Sequence, residues 1–385
     1  MDASNIKIGV PAPIIPPIDR NFKITKKMDT YGYDSMWYPD HLMGWIPDSI
    51  WTPDLIPISK AQDTPHAFLE TYSLIASHSV LTKNIKMGIA VTETLRRHPA
   101  QIAQTMLTLD QISKGRVIFG MGAGEAENTI PYGIDYSRPA SKFEENLRII
   151  KLFLEHPKEK INFDGEFYQL NDAIIGISPH EKNNPPEIWA AAHGPRMLRI
   201  CGELGDGWLP IGMPLKTYKK KLASIRDHAK KYDRNPDDIT PAIYFYTVLA
   251  KDHEKCHRMM TSPLGRAWVL TAFDSFYTSE GCRHPLCDIL DKESINPLTD
   301  YIPIKLNRKE ALKAINAIPE NVIDNFFFHG NEDEVIKLIE KYSMAGCEHF
   351  VFWNFTGMIE PKLYNESNEI LLKVLEYFGN QYHKK

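Results

Sequence analysis

Three side chains in this sequence have the types and spacing to move a proton beside a redox cofactor: His41, Trp45 four residues beyond it, and Glu125. An imidazole can hold charge on a cofactor nitrogen, a carboxyl group can hand over a proton, and an indole can shield a pocket from water. Together they suit hydride transfer coupled to proton transfer. Each also has a plainer use: the Asp40-His41 pair can cap a turn, Glu125 can be a solvated acid behind glycines, and Trp45 can pack a loop. No metal is expected, because Cys201, Cys256, Cys282, Cys287 and Cys347 form no CxxC pair and show no zinc-ligand spacing. Free thiols in a reducing cytoplasm fit them.

A second group of residues could hold an anion. Ile188-Trp189-Ala190-Ala191-Ala192-His193-Gly194-Pro195 passes from a strand into a helix with proline in its first turn. Exposed N–H groups and the helix dipole there make a phosphate site without any lysine. Arg196 strengthens the anionic reading, and Arg96-Arg97-His98 adds positive charge after another strand. A tight strand-helix connection and a solvated arginine pair are the plainer alternatives.

The elements that must position these residues alternate along the chain. Short apolar runs at 6–10, 35–38, 85–91, 116–119, 188–191, 207–211, 242–249 and 349–353 read as strands. Helical spacing follows most of them, near 20–31, 68–81, 99–112, 141–154, 218–232 and 333–344. The Asp164-Gly165 turn marks a hairpin outside this series. Eight strand-helix units with their long excursions at the C-terminal strand ends predict an α/β fold, a closed (β/α)₈ TIM barrel of one domain over 1–385. A long insertion over 254–323 separates strands 7 and 8. An open dinucleotide-binding sheet would place GxGxxG after the first strand, where this chain has none.

Composition narrows the partners. A net charge of -4 and 24% charged residues provide no global attraction to nucleic acid or an anionic membrane. No apolar run approaches the ~18 residues of a membrane span, and no basic-then-apolar stretch marks a signal peptide. A cytoplasmic enzyme with a small-molecule substrate is expected.

Four motifs in barrel order carry a family resemblance: Tyr38-Pro39-Asp40-His41, Val91-Thr92 with Arg96-Arg97-His98-Pro99, Gly122-Ala123-Gly124-Glu125 with Asn128, and Ala191 to Leu198. The chain resembles, over nearly its whole length, the luciferase-like family of flavin- and deazaflavin-dependent oxidoreductases. Within it, the branch using coenzyme F420 is most similar. Pro131-Tyr132-Gly133, Lys142-Phe143-Glu144-Glu145, and an insertion holding Ala267-Trp268 and His284-Pro285 are closest in pattern to that branch's phthiodiolone ketoreductases.

The resemblance implies a hydride exchanged between F420, an 8-hydroxy-5-deazaflavin, and a carbonyl, alcohol or imine-type carbon. It implies His41, Trp45 and Glu125 as the catalytic set, with Asp40 beside the deazaflavin. Ala90-Val91 would form a non-proline cis peptide behind its ring, in one loop with Thr92, although relatives often carry glycine or serine at position 90. Gly122, Gly124 and Asn128 would approach the cofactor. Ala192, His193, Gly194 and Pro195, together with Ile211, Gly212 and Met213, would receive its phosphate region. A homodimer is implied as well. The alternatives are a methylenetetrahydromethanopterin reductase-like enzyme, an FMN-dependent monooxygenase on the same barrel, and a non-catalytic cofactor-binding barrel. Trp268, Phe273, Phe276 and Tyr277 could roof an apolar pocket or simply pack the insertion onto the barrel.

Overall fold

All eight apolar runs become strands of one closed parallel barrel: β1 Lys7–Pro11, β2 Ser35–Tyr38, β3 Lys86–Ile89, β4 Val117–Gly122, β5 Glu187–Ala190, β6 Gly207–Trp208, β7 Thr240–Leu249 and β8 His349–Asn354. Neighbours in sequence are neighbours in the sheet, and β8 closes on β1 with Phe350 opposite Ile8. The computed structural model describes residues 6–182 and 184–382. Residues 1–5, 183 and 383–385, which the one-domain expectation also spans, lie outside the described residues.

Strands buried on both faces must be apolar nearly throughout. β4 accordingly has six buried residues in a row. At the barrel floor Trp37 and Trp189 pack with ring centroids 5.4 Å apart, and His349 meets both edge-on. Truncating either indole to alanine would cost about 3–5 kcal/mol.

Eight helices face the strands: α1 Ile18–Tyr31, α2 Thr71–Leu81, α3 Pro99–Ser113, α4 Pro139–Glu155, α5 Pro195–Leu204, α6 Leu215–Lys231, α7 Glu332–Ser343 and α8 Tyr364–Tyr382. Proline opens α3, α4 and α5, where its missing N–H costs nothing. The hairpin pairs Ile161–Asp164 with Gln169–Ala173 outside the barrel.

Two strand predictions change at their ends. The third stops at Ile89, and the Ala90-Val91 peptide bond that follows is cis. Thr92–Glu93 then resumes pairing with Met121 and Gly122 of β4. The sixth strand pairs only through Gly207 and Trp208, and Ile211 rejoins as a single bridge to Tyr244. Between β7 and β8 the insertion forms short helices from His253–Met260 to Glu320–Phe326. A strand Phe328–Gly330 follows and pairs alongside the end of β7. None of the helices is long and apolar enough to cross a membrane, among the described residues.

Candidate active site

Parallel strands deliver their C-terminal loops to one face. The β2 loop brings Asp40, His41 and Trp45 there, the β3 loop Thr92 and Glu93, and the β4 loop Glu125, Glu127 and Asn128.

Asp40 is an anchor. Its Oδ2 accepts from Thr92 Oγ1 at 2.7 Å and from Arg97 at 2.6 Å, with Arg96 at 2.9 Å. Burial alone would raise its pKa, but Arg96 and Arg97 outweigh that and hold the carboxyl below its usual range. Arg96 also pairs with Glu93, and Arg97 reaches Glu70 and stacks over the Tyr72 ring at 4.4 Å. The expected free positive charge at Arg96-Arg97 is therefore spent on protein carboxylates. The same holds for Arg196, which binds Glu144 at 3.2 Å and Ser141 Oγ at 3.0 Å.

His41, Trp45, Glu125 and Asn128 come together. The backbone N–H of Leu42 donates to Asn128 Oδ1 at 2.8 Å, so the amide NH₂ faces the other way. There it donates to His41 Nδ1 at 2.6 Å and to Glu127 Oε1 at 3.1 Å. His41 thus carries its proton on Nε2, a tautomer assigned from the donor-acceptor pattern. Burial lowers the His41 pKa and favours this neutral form, against the raising pull of Glu125.

The indole of Trp45 lies 4.0 Å from the His41 ring, centroid to centroid, and its Nε1–H donates to Glu125 Oε2 at 3.1 Å. Burial first, and Glu127 beside it second, push the Glu125 carboxyl well above the ordinary range. Glu127, whose carboxylate lies within 4.8 Å of that of Glu125, is raised too, chiefly by burial. Two buried carboxyl groups side by side resist ionising together. Tyr246 of β7 also nears Glu125, whose charge, after burial, raises the phenol pKa. Glu127 and Tyr246 carry no sequence signal beyond their positions near strand ends.

Behind this set lies the cis bond. A Cβ on Gly120 would sit 1.8 Å from Ile89 O, and one on Gly122 would sit 3.2 Å from Val91 Cγ2. Glycine there lets the Ala90-Val91 turn press against β4. Tyr136 caps the same loop by donating to Gly124 O at 2.8 Å.

The remaining predicted residues reach this face from β5 and β6, and no hydrogen bond joins them to the His41-Trp45-Glu125 set among the described residues. Ala192 is buried and its carbonyl accepts from Trp208 Nε1 at 2.9 Å. Gly194 caps α5, Pro195 opens it, and a Cβ on Gly194 would meet nothing within 4 Å. Gly212 N donates to Tyr244 O at 2.7 Å, and Met213 O accepts from Tyr342 at 2.5 Å. Burial and the charge of Lys221 hold His193 neutral, its pKa lowered to about 3. Lys221 is half-buried, its pKa lowered by burial with no carboxylate to offset it among the described residues. A lysine from α6 is thus close enough to influence His193, in the loop where the sequence suggested an anion site without any lysine.

The insertion walls the site on one side. The Trp268 ring lies 5.0 Å from that of Trp45, tilted by 52°, and Tyr301 donates to the Trp45 carbonyl at 2.6 Å. Phe273 lies 5.2 Å from His193. Phe276 and Tyr277 instead pack within the insertion, against Phe326 and His284. Two shallow grooves, one beside α6 at Leu222 and Arg226 and one between α1 and α8 at Tyr31 and Tyr364, lie on the outer helices.

Comparison with known proteins gives the family and the fold. A sequence profile of the luciferase-like monooxygenase family matches residues 4–349. The chain is 34% identical over 307 residues to the phthiodiolone/phenolphthiodiolone dimycocerosates ketoreductase of Mycobacterium sp. (strain JLS), covering 79% of each. It is 26% identical over 358 residues to the F420-dependent glucose-6-phosphate dehydrogenase of Amycolatopsis mediterranei (strain U-32), covering 92% of this chain and 93% of the relative. An F420-dependent secondary alcohol dehydrogenase, solved with an F420-acetone adduct, shares the fold with a TM-score of 0.69 at 19% identity, over 94% of this chain and 98% of that one.

Proposed function

This chain belongs to the luciferase-like family and is an oxidoreductase, and from that premise we propose that it uses coenzyme F420 to interconvert a ketone and a secondary alcohol. The observation that carries the reading is the buried Glu125 carboxyl, bonded to the Trp45 indole and raised well above its ordinary pKa range by burial and by Glu127 beside it. Ketone reduction needs a proton at oxygen as carbon gains a hydride, and a carboxyl group kept neutral at pH 7 can provide it. The relatives named for F420 support the choice of cofactor.

When bound, the deazaflavin supplies or accepts the hydride. Glu125 holds the proton for the substrate oxygen, and the Trp45 Nε1–H stabilises the carboxylate that its departure leaves. Neutral His41 offers an Nε2–H donor, and Trp45 with Trp268 excludes water. The free N–H groups that open α5 and the ammonium of Lys221 fit an anionic tail. The open space before Gly194 fits it as well. The same reading takes the enzyme as a cytoplasmic homodimer; light scattering that gives a monomer removes the second part.

Titration of the full chain with F420 and with FMN, followed by turnover of a ketone with reduced F420, tests the proposal. F420 should bind more tightly and be consumed in step with alcohol formation. Tighter FMN binding with oxygen uptake would assign a monooxygenase instead. Turnover confined to a methylene-pterin substrate would replace the ketone.

A further inference from the structure

Three histidines meet where the insertion leaves and rejoins the barrel. His253 and His257 stand one turn apart on the helix His253–Met260, so their rings share a face. His329 comes from the strand Phe328–Gly330, opposite Val248 of β7. One ring nitrogen of each lies within 4.8 Å of one from each of the others. The ring centroids are 4.8 to 5.0 Å apart. All three residues are partly buried, and none belongs to the site described above.

Each imidazole also has an oxygen acceptor on the same atom. Nδ1 of His253 faces Glu334 at 3.2 Å, Nδ1 of His257 faces Asp324 at 3.2 Å, and Nδ1 of His329 faces the Phe327 carbonyl at 3.3 Å. A proton on Nδ1 satisfies all three acceptors and leaves every Nε2 lone pair free. Metal-binding imidazoles take this kind of support, which fixes the tautomer and aims the ring. The backbone makes room for the arrangement: Gly330 has φ +145°, and a Cβ there would lie 2.2 Å from Glu334 Oε2.

We propose that His253, His257 and His329 bind one Zn²⁺ through their Nε2 atoms, with water in the fourth position. Three imidazoles select a borderline transition metal over Mg²⁺ or Ca²⁺, which prefer oxygen. Asp324 and Glu334 balance its charge from behind the rings. The ion joins the two ends of the insertion to the end of β7, and between those ends lie Trp268 and Tyr301, which contact Trp45. Its role is to hold that wall in place.

Chelator-stripped full-length protein dialysed against Zn²⁺, and separately against Co²⁺, provides the test. About one ion per chain should bind, Co²⁺ should give the visible absorption of a four-coordinate site, and Zn²⁺ should raise the thermal midpoint. His257→Ala and His329→Ala should each abolish that rise, and Asp324→Asn should weaken binding by about 10–100-fold. Among the described residues, His41, Glu125 and Glu127 form the other trio able to hold a cation, so the double variant His257→Ala, His329→Ala is decisive. Zn²⁺ bound to it as tightly as to the wild type would overturn the proposal, and so would a wild type that binds none. Should the alanine variants fail to fold, X-ray absorption on the metal-loaded wild type decides. A shell of three imidazole nitrogens supports the site, and a carboxylate-dominated shell refutes it.

Discussion

The indole Nε1–H of Trp45 donates to Oε2 of Glu125 at 3.1 Å, from a loop on β2 to a loop on β4. Burial and Glu127 raise the Glu125 pKa, whereas this hydrogen bond pulls it back. The strength of the acid is therefore set by residues on two different strand ends.

Glu125→Gln keeps the shape and removes the proton. Ketone reduction should slow by about 10²–10⁴-fold, with F420 affinity unchanged. In the wild type, the rate of reduction should fall as pH rises through the raised pKa of Glu125, because the carboxylate form has no proton to give. Stopped-flow rates over pH should show that alkaline limb in the wild type and a flat profile in the glutamine variant. A variant as fast as wild type would remove Glu125 from the chemistry.

Trp45→Phe retains an aromatic wall but loses the donor. Without the hydrogen bond that favours the carboxylate, Glu125 should titrate still higher. The alkaline limb should move to higher pH, and a packing role alone would leave it in place. Tyr301→Phe, which removes only the bond to the Trp45 carbonyl, should lower activity less and leave the limb close to that of the wild type.

How much of this was legible in the sequence follows from what each residue depends on. The barrel was readable because eight apolar runs need only local pattern. His41, Trp45 and Glu125 were readable because reactive types at strand ends share a face in any such barrel. Arg96 and Arg97 read as free charge because their partners, Asp40, Glu93 and Glu70, are fixed only by tertiary contacts. Lys221 lies within a lysine-rich helix, and only the fold separates it from Lys219 and Lys220. His253 and His257 show the helical spacing of a ligand pair, but nothing in the sequence joins them to His329.

Lys221→Ala tests the anion site. Loss of one partly buried charge-assisted contact costs about 1.5–3 kcal/mol, so F420 affinity should fall by about 10–100-fold while turnover at saturation stays near wild type. Fluorescence titration of the cofactor reads the first quantity and steady-state kinetics the second. Arg196→Ala, whose charge is paired with Glu144, should change affinity little.

The barrel floor predicts a sensitivity to acid. Trp37 Nε1–H donates to Ser35 Oγ at 2.7 Å, and Ser35 Oγ shares a hydrogen bond with His349 Nε2 at 2.6 Å. Burial, with Lys86 and Lys7 nearby, lowers the His349 pKa from 6.5 to about 3. In the unfolded chain His349 takes up a proton near pH 6.5; in the folded protein it does so only near pH 3. Its contribution is thus fully present above pH 6.5 and is lost progressively as pH falls from there towards 3. At pH 4.5, two pH units below the unfolded pKa, the loss should reach roughly 3 kcal/mol. His349→Gln keeps an acceptor for Ser35 and cannot titrate. Urea unfolding at pH 7 and pH 4.5 should therefore show the wild type losing roughly 3 kcal/mol more than the variant, whose other acid-sensitive groups are the same. Equal losses would mean that His349 is as basic in the fold as in the unfolded chain.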